Sequence, residues 1–375
     1  MKEINSMKKF MTLLLVFALL VSGLIGCGKN NSPVSPGTAA VPSDSSDTAT
    51  IDASEKTVKD AKDLKIAYLT QRLGDNASSD AYYSGVERFM AETGVEVTVV
   101  EPGELQDYEV NARLFCQEGY DLIVCPFSTP GELLVALAQE FPDTHFYIYD
   151  MEIEDMPNVS GSRARHYEAG FLTGVFNVLM SQELGGEARS AFVGAVRDPN
   201  IERSQYAFMA GSEYVGGQCT SVYVGSFADL AKGKEIALQL YQDGHRFVQA
   251  FAGGSGLGVY QAAEAMPEGY YALGAANGQF NVSERIIASM AVNMGEITYT
   301  VLDAFGKGTL EPGFKSLGYV DNIVSILYAP GSEDLIPQSI KDQISELESK
   351  IISGEIVPPT TAEEYNAFAE AYLKK

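Results

Sequence analysis

The chain has 375 residues, with 26 Lys and Arg against 50 Asp and Glu and a formal net charge of -24. So acidic a surface repels nucleic acid and anionic membrane faces rather than steering toward them, which excludes both as natural partners. A hydrophobic content of 46% is ordinary for a globular body, and the length suffices for two lobes of typical domain size.

Lys2, Lys8 and Lys9 precede an apolar run over 10–21 that is too short for a permanent span and reads as a secretion signal occupying 1–26. Leu24-Ile25-Gly26-Cys27 closes it. A cysteine directly after Leu-x-Gly resembles the lipobox of bacterial lipoproteins, which implies a lipidated Cys27 at a new amino terminus. Two or three acyl chains would anchor the protein stably to the extracytoplasmic face of the cell membrane, where one chain would not. Residues 27–60 carry Pro33, Pro36 and Pro42 among Ser, Thr, Ala, Asn and Asp. Such a stretch cannot bury enough surface to fold and reads as a tether, spanning on the order of 30 Å. No later segment reaches about 18 consecutive apolar residues, so no membrane channel is expected.

From about residue 61 strands and helices alternate. Strands are expected over 65–70, 95–100, 121–125 and 145–149, with helices over 80–93, 108–118 and 131–140. In the first helix Tyr83, Val86 and Met90 recur at helical spacing. A second series has strands over 190–196, 221–224, 247–252 and 270–273. Apolar strands separated by helical stretches mean parallel sheets covered on both faces, an α/β class with two doubly wound lobes facing a cleft. The expected division is 61–168 plus 284–330 for the first lobe, 169–283 for the second, and a C-terminal helical segment over 331–375.

Ligands in such folds sit beyond the carboxyl ends of the strands. In the first lobe those ends carry 71–79, Pro126-Phe127-Ser128 and Asp150; in the second they carry Arg197-Asp198-Pro199, 253–258 and 275–279. Asp75, Ser79 and Asp198 serve equally well as ligand contacts or as helix caps and turn formers. Gly254-Ser255-Gly256 lacks the third glycine of a dinucleotide fingerprint, and Gly306-Lys307-Gly308 lacks the loop and hydroxyl of a phosphate loop, so a tight turn is the expected role of the glycine cluster. His145, His166 and His245 are too scattered for a metal or catalytic pair, and no Gly-x-Ser-x-Gly elbow occurs. Cys116, Cys125 and Cys219 form no CxxC pair and read as small buried hydrophobes. No enzyme, cofactor or metal is expected.

Two segments, 225–234 (Gly-Ser-Phe-Ala-Asp-Leu-Ala-Lys-Gly-Lys) and 252–259 (Ala-Gly-Gly-Ser-Gly-Leu-Gly-Val), closely resemble the basic membrane protein family, the purine nucleoside receptor-like lipoproteins. Further matches are 119–124, 165–174 with Glu168 and Leu172, and 350–358, in collinear order from about Lys65 to Pro358. The resemblance implies a type I periplasmic-binding-protein fold whose chain crosses between lobes more than once. It also implies a monomeric substrate-binding lipoprotein of an ABC importer, with permease and ATPase subunits as partners.

In the family's nucleoside-binding members, an aspartate near the first strand reads the base and one phenylalanine from each lobe stacks on it. An aspartate and a lysine hold the ribose. Carried onto this sequence, the first aspartate is kept as Asp75. The phenylalanines fall on Ser78 and Ser204, the asparagine after the first on Ser79, the ribose aspartate on Ala276 and the lysine on Val292. The expected ligand-binding set is therefore Asp75, Asn76, Ser78, Ser79, Phe127, Ser128, Arg197, Ser204, Gly253, Gly254, Ala276, Asn277 and Val292. Tyr82, Tyr83, Phe127, Tyr206 or Phe251 could supply a rearranged aromatic wall, with core packing the expected role for most of them. The expected ligand is a small polar molecule whose nucleoside clamp is altered. The alternative is a ligand-sensing lipoprotein that informs a membrane receptor and transports nothing.

Overall fold

A computed structural model describes residues 63–74, 78–154, 156–276 and 278–373. The signal segment, Cys27 and the tether lie outside the described residues, as do Asp75, Asn76 and Asn277. The first lobe is built on β1 (Ile66–Leu69), β2 (Val97–Val100), β3 (Leu122–Cys125), β4 (His145–Tyr149) and β5 (Val159–Ala164). β1 and β3 are buried at every position, as strands covered on both faces must be. Three helices connect these strands: α1 (Ser78–Thr93), α2 (Leu105–Gln117) and α3 (Gly131–Glu140). On α1, Tyr82, Val86 and Phe89 recur at helical spacing and are buried together.

The second lobe repeats the plan. α4 (His166–Glu183) leads into β6 (Arg189–Gly194), α5 (Pro199–Tyr214), β7 (Gln218–Tyr223), α6 (Leu230–Gln242) and β8 (Phe247–Phe251). Then follow α7 (Gly256–Ala265), β9 (Tyr271–Ala276), β10 (Ile286–Val292), α8 (Met294–Gly306), β11 (Gly313–Leu317) and β12 (Val324–Tyr328). The sheets run β11-β5-β4-β3-β1-β2 and β12-β10-β9-β8-β6-β7. All pairings are parallel except β10 with β12. The shared inner order places a topological switch between β1 and β3 in one lobe and between β6 and β8 in the other, where crevices open beyond the carboxyl ends.

One expected boundary is corrected. Residues 284–330 do not all belong to the first lobe, because β10 pairs with β9 and β12 with β10 in the second sheet. Only α8, which packs on α1, and β11, which pairs with β5, lie with the first lobe. The chain consequently crosses between lobes at 164–166, 292–294 and 317–324. Those crossings are tied together. Arg165 N donates to Leu317 O at 2.7 Å, and Asn293 N donates to Ile323 O at 2.7 Å. Buried Glu168 takes Arg165 Nε on one oxygen at 2.5 Å and Tyr319 N on the other at 2.8 Å. Gly318 passes so close that a Cβ there would lie 2.3 Å from both the Arg165 guanidinium and the Glu168 carboxylate.

α4 is buried along nearly its whole length and forms the axis of the second lobe. It meets α5 backbone to backbone: a Cβ on Gly211 would lie 2.0 Å from Phe171 O, and one on Gly174 would lie 2.2 Å from Phe208 O. The C-terminal segment covers these two helices. α9 (Gln338–Ile352) lays Ile340, Ile344, Leu347 and Ile351 inward against α4, and α10 (Ala362–Phe368) sets Phe368 edge-on to Phe171. Among the described residues no helix is long and apolar enough to cross a membrane.

Candidate functional site

At the carboxyl ends of the first lobe's strands three rings gather. Tyr82 on α1 lies 5.1 Å from Tyr149 and 5.8 Å from Phe127, the latter edge-on. Burial pushes the Tyr149 phenol up to about 12 and raises Tyr82 well above its usual value, so both stay neutral. Asp150 follows β4 with φ 60, a left-handed backbone uncommon outside glycine. Its amide donates to Ser162 O at 2.7 Å, which fixes that turn against β5.

Asp150 joins the lobes. One carboxylate oxygen accepts Arg163 Nε at 2.5 Å, and the other accepts Asn200 Nδ2 from the second lobe at 3.2 Å. Asn200 is held in place by the start of α5, where Pro199 occupies the first helical position and Asp198 accepts Asn200 N at 2.9 Å. Asp198 is thus a helix cap. His166, at the crossing into α4, has its ring 6.0 Å from Phe251 at the end of β8. Burial depresses its pKa, with Asp150 acting in the opposite direction.

Beside this bridge lies a cavity of about 210 Å³. The first lobe contributes Glu152, Arg163, Phe314 and Ser316 to its wall; Asn200, Arg203 and Ser204 come from α5, and Thr360 from the C-terminal segment. Arg163 is neutralised twice, by Asp150 and by Glu152 at 2.8 Å. Ser204 is fully buried and its hydroxyl has no hydrogen-bond partner.

A family model described as ABC transporter substrate-binding protein PnrA-like matches residues 66–361. The chain belongs to this PnrA-like family. Relatives include Basic membrane protein A1 of Borrelia garinii subsp. bavariensis, 24% identical over 302 residues, covering 78% of this chain and 87% of that protein. Another is a protein of Lactococcus lactis subsp. cremoris named ABC transporter nucleoside-binding protein BmpA. It is 26% identical over 337 residues, covering 82% of this chain and 93% of its own. Among solved structures, an ABC transporter solute-binding protein from Aeropyrum pernix K1 superposes with a TM-score of 0.68 at 24% identity. That likeness covers 82% of this chain and 97% of the other, and shows the two-lobed α/β fold.

On this PnrA-like scaffold the expected ligand residues part ways. Ser204 comes to the cavity with Asn200, and Phe127 joins the ring cluster. Ser78 opens α1 half-buried, Ser79 is buried in its first turn, and Ser128 is an exposed turn residue whose carbonyl accepts Gly131 N. Arg197 points outward, 3.4 Å from Glu202 and over the Tyr223 ring. Gly253 and Gly254 form a tight turn against Phe227, and Val292 is packed in the apolar core opposite Val324. Ala276 closes β9. Asp150 stood among the strand ends but not in the expected set; Arg163, His166, Asn200 and Arg203 were absent from it, and Arg163 lies within a strand too polar to be read as one. Tyr83 and Tyr206 stand apart from the ring cluster, Tyr206 against Tyr365.

Cys116 and Cys125 are buried as the sequence suggests, whereas Cys219 is partly exposed; desolvation pushes the Cys125 thiol up to about 12 and Cys219 up to about 11, so neither offers a thiolate near neutrality. Burial also depresses His245, whose Nδ1 lacks a partner. A histidine with a folded pKa below its unfolded value of about 6.5 takes up its proton first in the unfolded chain. Stability is therefore full above that value and declines as pH falls through it toward the folded pKa. Urea midpoints should drop between pH 7.5 and pH 5.5, and drop less in a His166→Gln, His245→Gln double variant. A midpoint that rises on acidification would contradict this.

Proposed function

We propose that the protein is the lipid-anchored, extracytoplasmic receptor of an ABC importer, capturing a small polar ligand between its lobes and presenting it to a membrane permease served by an ATPase. The observation that supports this reading most directly is the Asp150–Asn200 hydrogen bond across the lobes beside a polar cavity. Both lobes contribute walls, so occupancy favours the arrangement that brings them together. The relative named as nucleoside-binding sets the starting point for the ligand class. The serines, alanine and valine at the nucleoside-clamp positions point away from a purine nucleoside. Of the first-lobe rings, Phe127 is the one left partly exposed to replace the lost stacking surface, backed by buried Tyr82 and Tyr149.

The deciding experiment takes the compound released from natively purified protein, identifies it by mass spectrometry, and adds it back to ligand-free protein. Small-angle scattering should then report a smaller radius of gyration. An unchanged radius at saturation would mean a rigid scaffold rather than a receptor that closes. Anchoring is checked separately. Cys27→Ala should move the protein from the membrane fraction to the soluble fraction with its thermal transition unchanged, and retention on membranes after a high-salt wash would remove the lipid anchor from the proposal.

A further inference from the structure

We infer that the captured ligand carries an anionic group, a carboxylate or phosphate, seated against Arg203 and Ser204 on the cavity side of α5. This deepens the receptor reading above and rests on it. Among the described residues Arg203 is the arginine of the cavity wall that forms no ion pair; its guanidinium makes only a long hydrogen bond, 3.4 Å, to Asn200 Oδ1. In a chain with nearly twice as many acidic as basic side chains, a half-buried arginine without a carboxylate partner is unusual. Glu364 acts on Arg203 only from beyond ion-pair distance, and one of its oxygens, Oε2, is held by Thr360 N at 2.7 Å and Thr360 Oγ1 at 2.6 Å. Arg163, the other arginine of the wall, has its charge cancelled by Asp150 and Glu152.

The second observation is independent. A serine inside a helix ordinarily returns its hydroxyl to the carbonyl four residues earlier. Ser204 does not: it is fully buried in the cavity wall and its Oγ has no partner. A buried hydroxyl left unpaired costs about 1–3 kcal/mol, a cost that a ligand oxygen would remove. At about 210 Å³ the cavity is smaller than the roughly 300–1,000 Å³ of sites for larger ligands, so it suits an anionic group and a small polar body rather than a whole nucleoside.

The test uses matched neutral and anionic probes on the intact soluble body by calorimetry: ribose with ribose 5-phosphate, glycerol with glycerol 3-phosphate, glucose with glucuronate, and inosine with inosine 5′-monophosphate. The anionic member of at least one pair should bind tenfold or more tightly than its neutral partner, glucuronate reporting the carboxylate arm and the others the phosphate arm. Arg203→Gln should weaken that binding by about tenfold to a hundredfold, as loss of a charged hydrogen bond does. Arg203→Lys should recover part of it, and Arg113→Gln, on the far helix α2, should leave it unchanged. Melting temperatures establish that each variant folds. Neutral partners binding as well as anionic ones, or Arg203→Gln binding like the parent, overturns the inference and leaves the receptor reading intact. If no probe binds, the compound recovered from native protein decides. An anion whose binding Arg203→Gln weakens upholds the inference, a neutral compound overturns it, and no recoverable compound removes the receptor reading together with it.

Discussion

Guanosine, inosine and adenosine titrated into the purified protein should give no binding heat below millimolar concentration. The clamp positions hold Ser78, Ser204, Ala276 and Val292. Stacking of a base on an aromatic ring contributes about 1–3 kcal/mol, so two missing rings weaken binding by roughly thirtyfold to ten-thousandfold before the ribose contacts are counted. Re-creating the clamp will not be a matter of four substitutions. Val292 is 2% exposed within the apolar core, and Val292→Lys would bury an ammonium beside Val324 at a cost of several kcal/mol, or force it to lose its proton. Val292→Lys alone should therefore lower the urea midpoint sharply. Submicromolar binding of any purine nucleoside by the unmodified protein would refute the altered-clamp reading and mean that other side chains have taken over the base and the ribose.

Gly211→Ala should destabilise the second lobe by about 3 kcal/mol, the upper part of the range for overpacking. Helix propensity argues the other way, since alanine is favoured over glycine by about 1 kcal/mol in a helix interior. The clash decides the sign: the new methyl would lie 2.0 Å from Phe171 O and 2.8 Å from the carbonyl carbon, both backbone atoms of a buried helix that no rotamer change can move. Separating α4 from α5 would also break the buried bond from Ser212 Oγ on α5 to Gly174 O on α4, 3.3 Å long. Equilibrium urea unfolding measures the difference, and an alanine variant as stable as the parent would show that the two helices slide apart freely.

Much of the fold was legible in the residues. The run 145–149 and the helix 131–140 declare themselves, because a buried parallel strand is a short apolar block and α3 begins right after a proline. β5 and β11 did not declare themselves. Val-Ser-Gly-Ser-Arg-Ala and Gly-Phe-Lys-Ser-Leu carry hydroxyls and charges suited to cross-strand and inter-lobe contacts, such as Tyr147 with Ser162 at 2.5 Å, and so lack an apolar block. Lobe assignment after residue 284 failed for a different reason: nothing local to Ile286–Val292 tells which of two similar sheets it joins. The site was legible only as strand ends. That Arg163 would spend its charge on Asp150 follows from the pairing of β4 with β5, whose polar residues hid the strand, whereas the place of Arg203 in a wall shared by both lobes is a long-range fact with no local signature.

The triple crossing between the lobes has a mechanical consequence. Two bodies joined by one strand can tumble through any relative orientation, whereas adjacent strands fastened to one another, as at Arg165 with Leu317 and Asn293 with Ile323, would restrict relative motion toward a hinge-like rotation. Any free energy released at the cavity is then spent along one coordinate instead of being dispersed over many, like torque on a door rather than on a ball joint. A partner that docks on both lobes at once can read that one angle as a yes-or-no signal of occupancy, whatever the chemical identity of the cargo.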